Sequence, residues 1–342
     1  FMITDSMWTN LQNVKITGLL NQKDLIFLSN LLHRGAQIRV LDLRDVDGLE
    51  EFGLNLNVKK TNNIPNNHLN AVYAPLSSKV LLANAFAGFE KLEKVCLSKN
   101  VVKMSDNAFV DCMSLSTFKV PESIKEIGSY CFVNCKKLNA IESASPEYIS
   151  VDGVLYSKDK KVLIAYPANK KSEKFTIPNG VENLAKGAFA YALIDDVEFP
   201  SSLTSISDSA FASSSLKQLS VPSNIQSIGN AAFIQDSSLS MVIVSEGVKN
   251  IGVSAFQNCV NLQSVDLSNS VEAIGDYAFW NCPNIENFVN RAEVAQNVKP
   301  SIVGKFSRNC GQLFVESAAM PSFRKSSGWS KFTSIESLSL GN

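Results

Sequence analysis

Seven cysteines, two histidines and thirty-two carboxylates are the side chains of this 342-residue chain with the means to do chemistry. Their spacing argues against most of it. Cys112, Cys135, Cys259 and Cys282 each stand three residues after a phenylalanine, at Phe109, Phe132, Phe256 and Phe279, so they share one recurring structural position. Free cysteine packs as a small apolar residue, and we expect a column of buried thiols rather than disulfides. Cys131 and Cys135 lack C-x-x-C spacing, and His33 and His68 are too few to complete a zinc site. Both histidines read as ordinary surface or packing residues. The sequence contains no H-E-x-x-H, G-x-S-x-G, P-loop or dinucleotide fingerprint. Scattered Asp and Glu would need the fold to bring them together as a glycosidase pair. The chain therefore reads as a non-enzyme without metal or cofactor.

Thirty-two Lys and Arg balance thirty-two Asp and Glu. That balance argues against nucleic acid or an anionic membrane held mainly by charge. No run approaches the roughly eighteen apolar residues of a membrane helix, and no basic segment leads into an apolar one as in a signal peptide. No membrane insertion is expected in this segment. Phe1 is not an initiator, so the chain reads as a trimmed or mature form whose export signal would lie upstream.

What organises these residues is a repeat. The stretch from Leu115 to Leu138, LSTFKVPESIKEIGSYCFVNCKKL, recurs with phenylalanines at 86, 109, 132, 189, 211, 233, 256 and 279. Successive spacings are 22 or 23 residues, except for 57 between Phe132 and Phe189. So regular a period means stacked coils forming one solenoid. Alternating pairs of apolar residues, from Leu41/Leu43 through Val72/Ala74, Phe118/Val120, Leu219/Val221 and Val265/Leu267 to Leu313/Val315, read as parallel strands. With degenerate coils at Ile141 and Phe288 they number about twelve. Pro121, Pro178, Pro200 and Pro222 end strands, and Gly128, Gly229, Gly252 and Gly275 read as tight turns. Each Ala-Phe-x-x-Cys segment reads as a helical turn on the outer side.

Two intervals break the period. Residues 41–72 hold an asparagine-rich stretch (Asn55, Asn57, Asn62, Asn63, Asn66, Asn67), read as an irregular coil. Residues 141–175 hold an insert in which Val151 to Tyr156 and Val162 to Tyr166 read as a hairpin around Ser157 to Lys161. Residues 1–36 read as an N-terminal cap, 37–311 as the solenoid with its hairpin insert at about 148–167, and 312–342 as a last strand and C-terminal cap. Phe323, Trp329, Phe332 and Ile335 are expected to cover the last coil.

The motifs IGVSAFQNCVNLQSVDL and IGDYAFWNCPNIENF resemble the BspA-like leucine-rich repeat proteins of bacterial cell surfaces. The insert DGVLYSKDKKVLIAYP, the opening VKITGLLNQKDL and the closing LFVESAAMPSFRKSSGWSKF resemble that family's hairpin and flanking caps, so the likeness spans roughly residues 11 to 340. It implies an α/β repeat solenoid of leucine-rich repeats, with a parallel β-sheet on one face, short helical turns on the other, one inserted β-hairpin and caps at both ends. It also implies export to the cell surface or beyond, and kinship with adhesins for host matrix or plasma proteins such as fibronectin and fibrinogen. No ligand motif carries over residue by residue, and the chain has fewer repeats than a long adhesin and no visible anchor.

A solenoid binds through the outward positions of its strands. The central outward column reads Asp42, Tyr73, Cys96, Lys119, Glu142, Thr176, Glu198, Ser220, Ile243, Asp266, Val289 and Phe314, with Met241 beside it. Met241, Ile243, Val289 and Phe314 form an apolar cluster that is either a binding patch or a seat for the C-terminal tail. Lys158, Lys160 and Lys161 at the hairpin tip are a further candidate. The leading reading is a surface-exposed monomer that binds a protein or glycan through this face or tip. The alternative is a structural or self-associating repeat protein.

Overall fold

The computed structural model describes residues 11–55, 68–303 and 311–338. It is a parallel-sheet solenoid of about thirteen turns with few helices. Alternation makes the strands: Thr117–Val120 and Gln218–Val221 each run exposed, buried, exposed, buried. Strands one coil apart pair in parallel and in phase. Asp42 lies opposite Tyr73 and Tyr73 opposite Cys96; Lys119 faces Glu142 and Thr176 faces Glu198. Ser220, Ile243, Asp266, Val289 and Phe314 follow one another across five strands. Asn13–Lys15 adds a strand before this series and Ser334–Ser337 one after it. The asparagines from Asn57 to Asn67 lie outside the described residues.

The chain forms two compact units, Phe1–Asp159 with Ile164–Lys170, and Lys160–Leu163 with Lys171–Asn342. Each carries a second parallel ladder of two-residue strands. In the first unit these are Glu51–Phe52, Val80–Leu81, Lys103–Met104 and Glu126–Ile127; in the second, Ser205–Ile206, Ser227–Ile228, Asn250–Ile251 and Ala273–Ile274. Gly252 follows one of these strands. A Cβ on it would stand 2.5 Å from the carbonyl carbon of Gly229 in the preceding coil, and its φ is not positive. Clearance between coils, not turn conformation, is what calls for glycine here.

The helical-turn segments are runs of tight turns. Val110 N donates to Asn107 O and Cys112 N to Phe109 O, three residues back, while Asn107 N and Phe109 N donate forward to Ser129 O and Cys131 O of the next coil. Residues two before and two after each repeat phenylalanine take positive φ, as in Asn107 (+59°) and Asp111 (+61°) around Phe109, or Ser254 (+57°) and Asn258 (+63°) around Phe256. Those left-handed residues stop the turn from winding on as a helix, and Asn and Asp tolerate that conformation best.

Inside, the phenylalanines stack. Phe86, Phe109 and Phe132 lie 5.4 and 5.7 Å apart in the first unit. Phe189, Phe211, Phe233, Phe256 and Phe279 lie 4.7 to 5.3 Å apart with nearly parallel rings in the second. The four column cysteines are buried, and each Sγ donates to the carbonyl of a repeat phenylalanine one coil back, Cys112 to Phe86, Cys135 to Phe109, Cys259 to Phe233 and Cys282 to Phe256, at 3.1 to 3.2 Å. Burial pushes the thiols of Cys112, Cys135 and Cys259 well up, and that of Cys131 to about 12.

The ends are closed differently. Helix Gln22–His33 starts at Asn21, whose side chain accepts from Lys23 N and Asp24 N while the Asp24 carboxylate accepts from Asn21 N. It buries Leu25, Leu28 and Leu32. At the other end Trp329 and Phe332 pack on Phe288, at 5.4 and 5.3 Å, and Phe323 packs on Trp329. The insert carries an antiparallel hairpin of Tyr148–Val151 and Val154–Ser157. Asp152 (φ +49°) and Gly153 (φ +78°) make its two-residue turn, the left-handed pair that a tight hairpin needs. The turn expected at Ser157 to Lys161 is there as well: it joins Val154–Ser157 to Val162–Ala165, its neighbour in the same sheet. The hairpin folds back on strand Ala140–Ser143: Ile141 N donates to Gly153 O, Ser143 Oγ to Tyr148 O, and Ile127 N to the Tyr148 hydroxyl.

Candidate functional site

Because the strands pair in phase, the outward column comes together as two faces, one in each unit. In the first, Arg44 forks onto Asp42, with Nε–Oδ1 at 3.0 Å and Nη2–Oδ2 at 2.7 Å. These bonds hold the Asp42 carboxyl at about 2. The Arg44 guanidinium lies 4.7 Å from the Tyr73 ring centre and Lys94 Nζ 5.5 Å from it, so the aromatic face is already engaged by cations. Lys119 and Glu142 are exposed on neighbouring strands.

The second unit's face differs. Lys174 Nζ pairs with Glu198 at 3.0 Å, and Thr176 Oγ1 donates to the same carboxylate, which together lower its pKa. Ile243 is 38% exposed. Met241, Val289 and Phe314 are half-buried, and Asp266 between Ile243 and Val289 is clasped by Arg291, with Nε–Oδ1 at 3.0 Å and Nη2–Oδ2 at 2.8 Å. Phe323 and Trp329 of the C-terminal segment are buried against the core end at Phe288, and Ile243 stays open. Two grooves meet at Ile243. One, of about 470 Å³, runs past Lys174, Asp196, Glu198, Ser220 and Met241. The other, of about 500 Å³, runs past Glu246, Asp266, Arg291, Glu293 and Glu316.

Glu246, Arg291, Glu293 and Glu316 were not singled out from the sequence because they follow the strands instead of occupying the central column. Their recurrence one to three residues after a strand end was the available signal. The tip lysines Lys158, Lys160 and Lys161 are exposed, and Lys161 is paired with Glu182 at 2.8 Å. His33 Nδ1 sits 2.6 Å from its own helix's Ser29 O, and His68 lies beside Gln37 and Lys91. Among the described residues no cluster of three or more His, Cys, Asp or Glu is placed to hold a metal ion, and no helix is long and apolar enough to cross a membrane.

One buried ionisable group escaped the sequence reading. Asp236 stands three residues after Phe233, the position that other coils give to cysteine, and is fully buried. Burial raises its pKa to about 7, against the opposing pull of the Ser214 hydroxyl and of backbone N–H groups including that of Ser238.

The model of the BspA type leucine-rich repeat region matches six copies in this chain, over residues 62–155 and 165–286. The chain belongs to that family. Solved structures agree on the BspA type fold. A leucine-rich repeat protein from Eubacterium ventriosum aligns with a TM-score of 0.67 at 20% identity, covering 83% of this chain and 80% of that one. The pneumococcal vaccine antigen PcpA aligns with a TM-score of 0.67 at 22% identity, over 90% of this chain and 73% of its own. A leucine-rich cell surface protein from Faecalibacterium prausnitzii aligns with a TM-score of 0.50 at 23% identity, over 80% and 60%. No curated protein matches the chain in sequence.

Proposed function

We propose that this chain is a non-enzymatic binding module, exported and displayed at the cell surface or released, that recognises a protein through the outward sheet face of its second unit. The observation that carries the reading is the open apolar centre at Met241 and Ile243, set between two grooves on positions that coil stacking does not use. Inward residues are fixed by packing, whereas outward apolar residues on a strand have no such reason to be there. Family membership and likeness to a described cell surface protein support the placement. Host matrix and plasma proteins are the first partners to screen, with glycans beside them. A hit should lose binding when Ile243→Arg is introduced, with the melting temperature unchanged. Binding indifferent to that change would move the site off this face, to the Lys119 and Glu142 face or the tip lysines.

A second reading, self-association, is favoured by the opposite end. Among the described residues, strand Asn13–Lys15 pairs on one side only, and a groove of about 530 Å³ beside it is lined by Leu11, Val14, Ile16, Leu20, Phe27 and Leu28. Leu19 is 80% and Phe27 50% exposed. An unpaired edge with apolar neighbours is a place where chains add to one another. Light scattering over a concentration series decides: a constant monomer mass removes this reading.

A further inference from the structure

The charge on the second unit's face has a direction that the whole chain lacks. Along the two grooves stand six carboxylates, Asp196, Glu198, Glu246, Asp266, Glu293 and Glu316, against two cations, Lys174 and Arg291. Both cations are spent within the face, Lys174 on Glu198 and Arg291 on Asp266. That leaves Asp196 on one side of Ile243 and Glu246, Glu293 and Glu316 on the other, with no cation among the described residues paired to them. The chain as a whole has thirty-two charges of each sign, so this excess is local.

We propose that the face binds a cationic polypeptide segment, with Lys or Arg side chains on both sides of an apolar residue that seats on Met241 and Ile243. The inference rests on the reading of this face as the binding surface and adds the partner's chemistry. Coulomb attraction across an interface selects the sign of the partner and speeds encounter. Polyanions such as nucleic acid, acidic glycans or anionic headgroups meet like charge here. A neutral glycan leaves the four carboxylates without counter-charges. The sequence of chemistries along the face is acid, apolar, acid, and a polypeptide can present cation, apolar, cation to match it. The apolar centre supplies the desolvated contact from which most interface energy comes.

The test is fluorescence anisotropy of a labelled peptide, Lys-Ser-Lys-Leu-Lys-Ser-Lys, and its Glu-for-Lys counterpart, titrated with the full chain. The cationic peptide should bind and the acidic one should not. Replacing Glu246→Gln, Glu293→Gln and Glu316→Gln together should weaken binding by about tenfold or more. A control triple of exposed carboxylates from the first unit, Glu93→Gln, Glu122→Gln and Glu147→Gln, should change it less than about twofold. Raising salt from about 50 to about 300 mM should weaken the interaction several-fold. Glu316→Gln alone, with a smaller loss, serves should the triple variant melt early. Equal losses from both triples, equal binding of the acidic peptide, or no binding of the cationic one would each overturn the proposal. The two readings fail separately. A screened partner lost on Ile243→Arg but kept by the Gln triple would retain the face and refute the cationic assignment, whereas a partner indifferent to both refutes the two together.

Discussion

The two units are built from one repeat and present different surfaces. In the first, Lys15, Arg44 and Lys94 surround Asp42 and Tyr73, and the aromatic ring is spanned by cations. In the second, aliphatic residues sit among carboxylates, and the cations beside them, Lys174 and Arg291, are already paired. Inside, the units match: stacked phenylalanines, and thiols donating to carbonyls one coil back. Stacking fixes everything that points inward, because each inward side chain must fit the coil before and after it. Outward residues are free of that constraint, so the surface is where copies of one repeat diverge.

The first way to test this division is to cut both sides of it. Phe233 stacks on rings both before and behind, at 5.3 and 5.2 Å, and Phe233→Ala should cost about 3–5 kcal/mol, the usual range for a truncated buried aromatic. Phe132, at the end of the first unit's three-ring stack, should cost somewhat less. Phe314→Ala, on the outward column, should cost under about 1 kcal/mol. Urea midpoints of the three variants give the order. Equal losses at 233 and 314 would break the inward–outward distinction on which the binding face depends.

The second contrast is in pH. The first unit carries Phe89, Cys112 and Cys135 in the column after its repeat phenylalanines, whereas the second carries Asp236 beside its cysteines, with a pKa raised to about 7 by burial. An acid whose folded pKa lies above its unfolded one binds more protons when folded. Its stability is therefore fully present below about 3.8, declines as pH rises, and is lost by about 7. The change amounts to about 4 kcal/mol at most. Facing groups are the Ser214 hydroxyl, the Ser238 N–H and the Cys259 thiol. Asp236→Asn should flatten the decline between pH 4 and pH 7 relative to the unaltered chain. Parallel pH profiles for the two proteins would mean that Asp236 does not titrate in this window.

A third, smaller effect concerns the thiols. Cys112→Ala and Cys259→Ala each remove one small buried side chain and one weak donor to a carbonyl, and should each cost roughly 1 kcal/mol. A thiol reagent should modify half-buried Cys96 in the folded protein, and the column cysteines only after denaturant is added. Modification of Cys112 or Cys259 at the rate of Cys96 would show coils opening in the native state.

What the sequence let one read follows the same division. The strand register was legible because one buried side chain recurs at 22 or 23 residues and fixes the phase of its neighbours. Tyr73 and Cys96, or Ile243, Asp266 and Val289, fall opposite one another for that reason. The second ladder was illegible, since two-residue strands such as Asn250–Ile251 are too short to show alternation. Left-handed turns around each phenylalanine were signalled by Asn84, Asn107, Asn134, Asn258 and Asn281, but positions filled by Tyr130, Tyr191 and Tyr277 hide the pattern. Asp152-Gly153 is a strong hairpin signal that the lysine-rich stretch after it drew attention from. The acidic grooves were illegible because Asp196 and Glu316 are 120 residues apart in sequence, and only the stacking of coils places them on one face.

The smallest expected effect is at the hairpin tip, and it sharpens the comparison of charge. Lys158 and Lys160 are exposed, and Lys161 pairs with the exposed Glu182, a kind of pair that contributes little to stability. Lys158→Ala with Lys160→Ala should therefore leave the melting temperature where it is. Its effect on binding separates the two candidate surfaces by sign. A cationic partner seated on the carboxylates of the second unit gains nothing from lysines at the tip, so its affinity should hold or rise slightly as like charge is removed. An anionic partner drawn to the tip would instead lose affinity, and would be indifferent to Glu246→Gln, Glu293→Gln and Glu316→Gln. A partner that weakens with the lysines and not with the glutamates would place recognition at the tip, and the acidic face would then be only the side of the solenoid that packing left free.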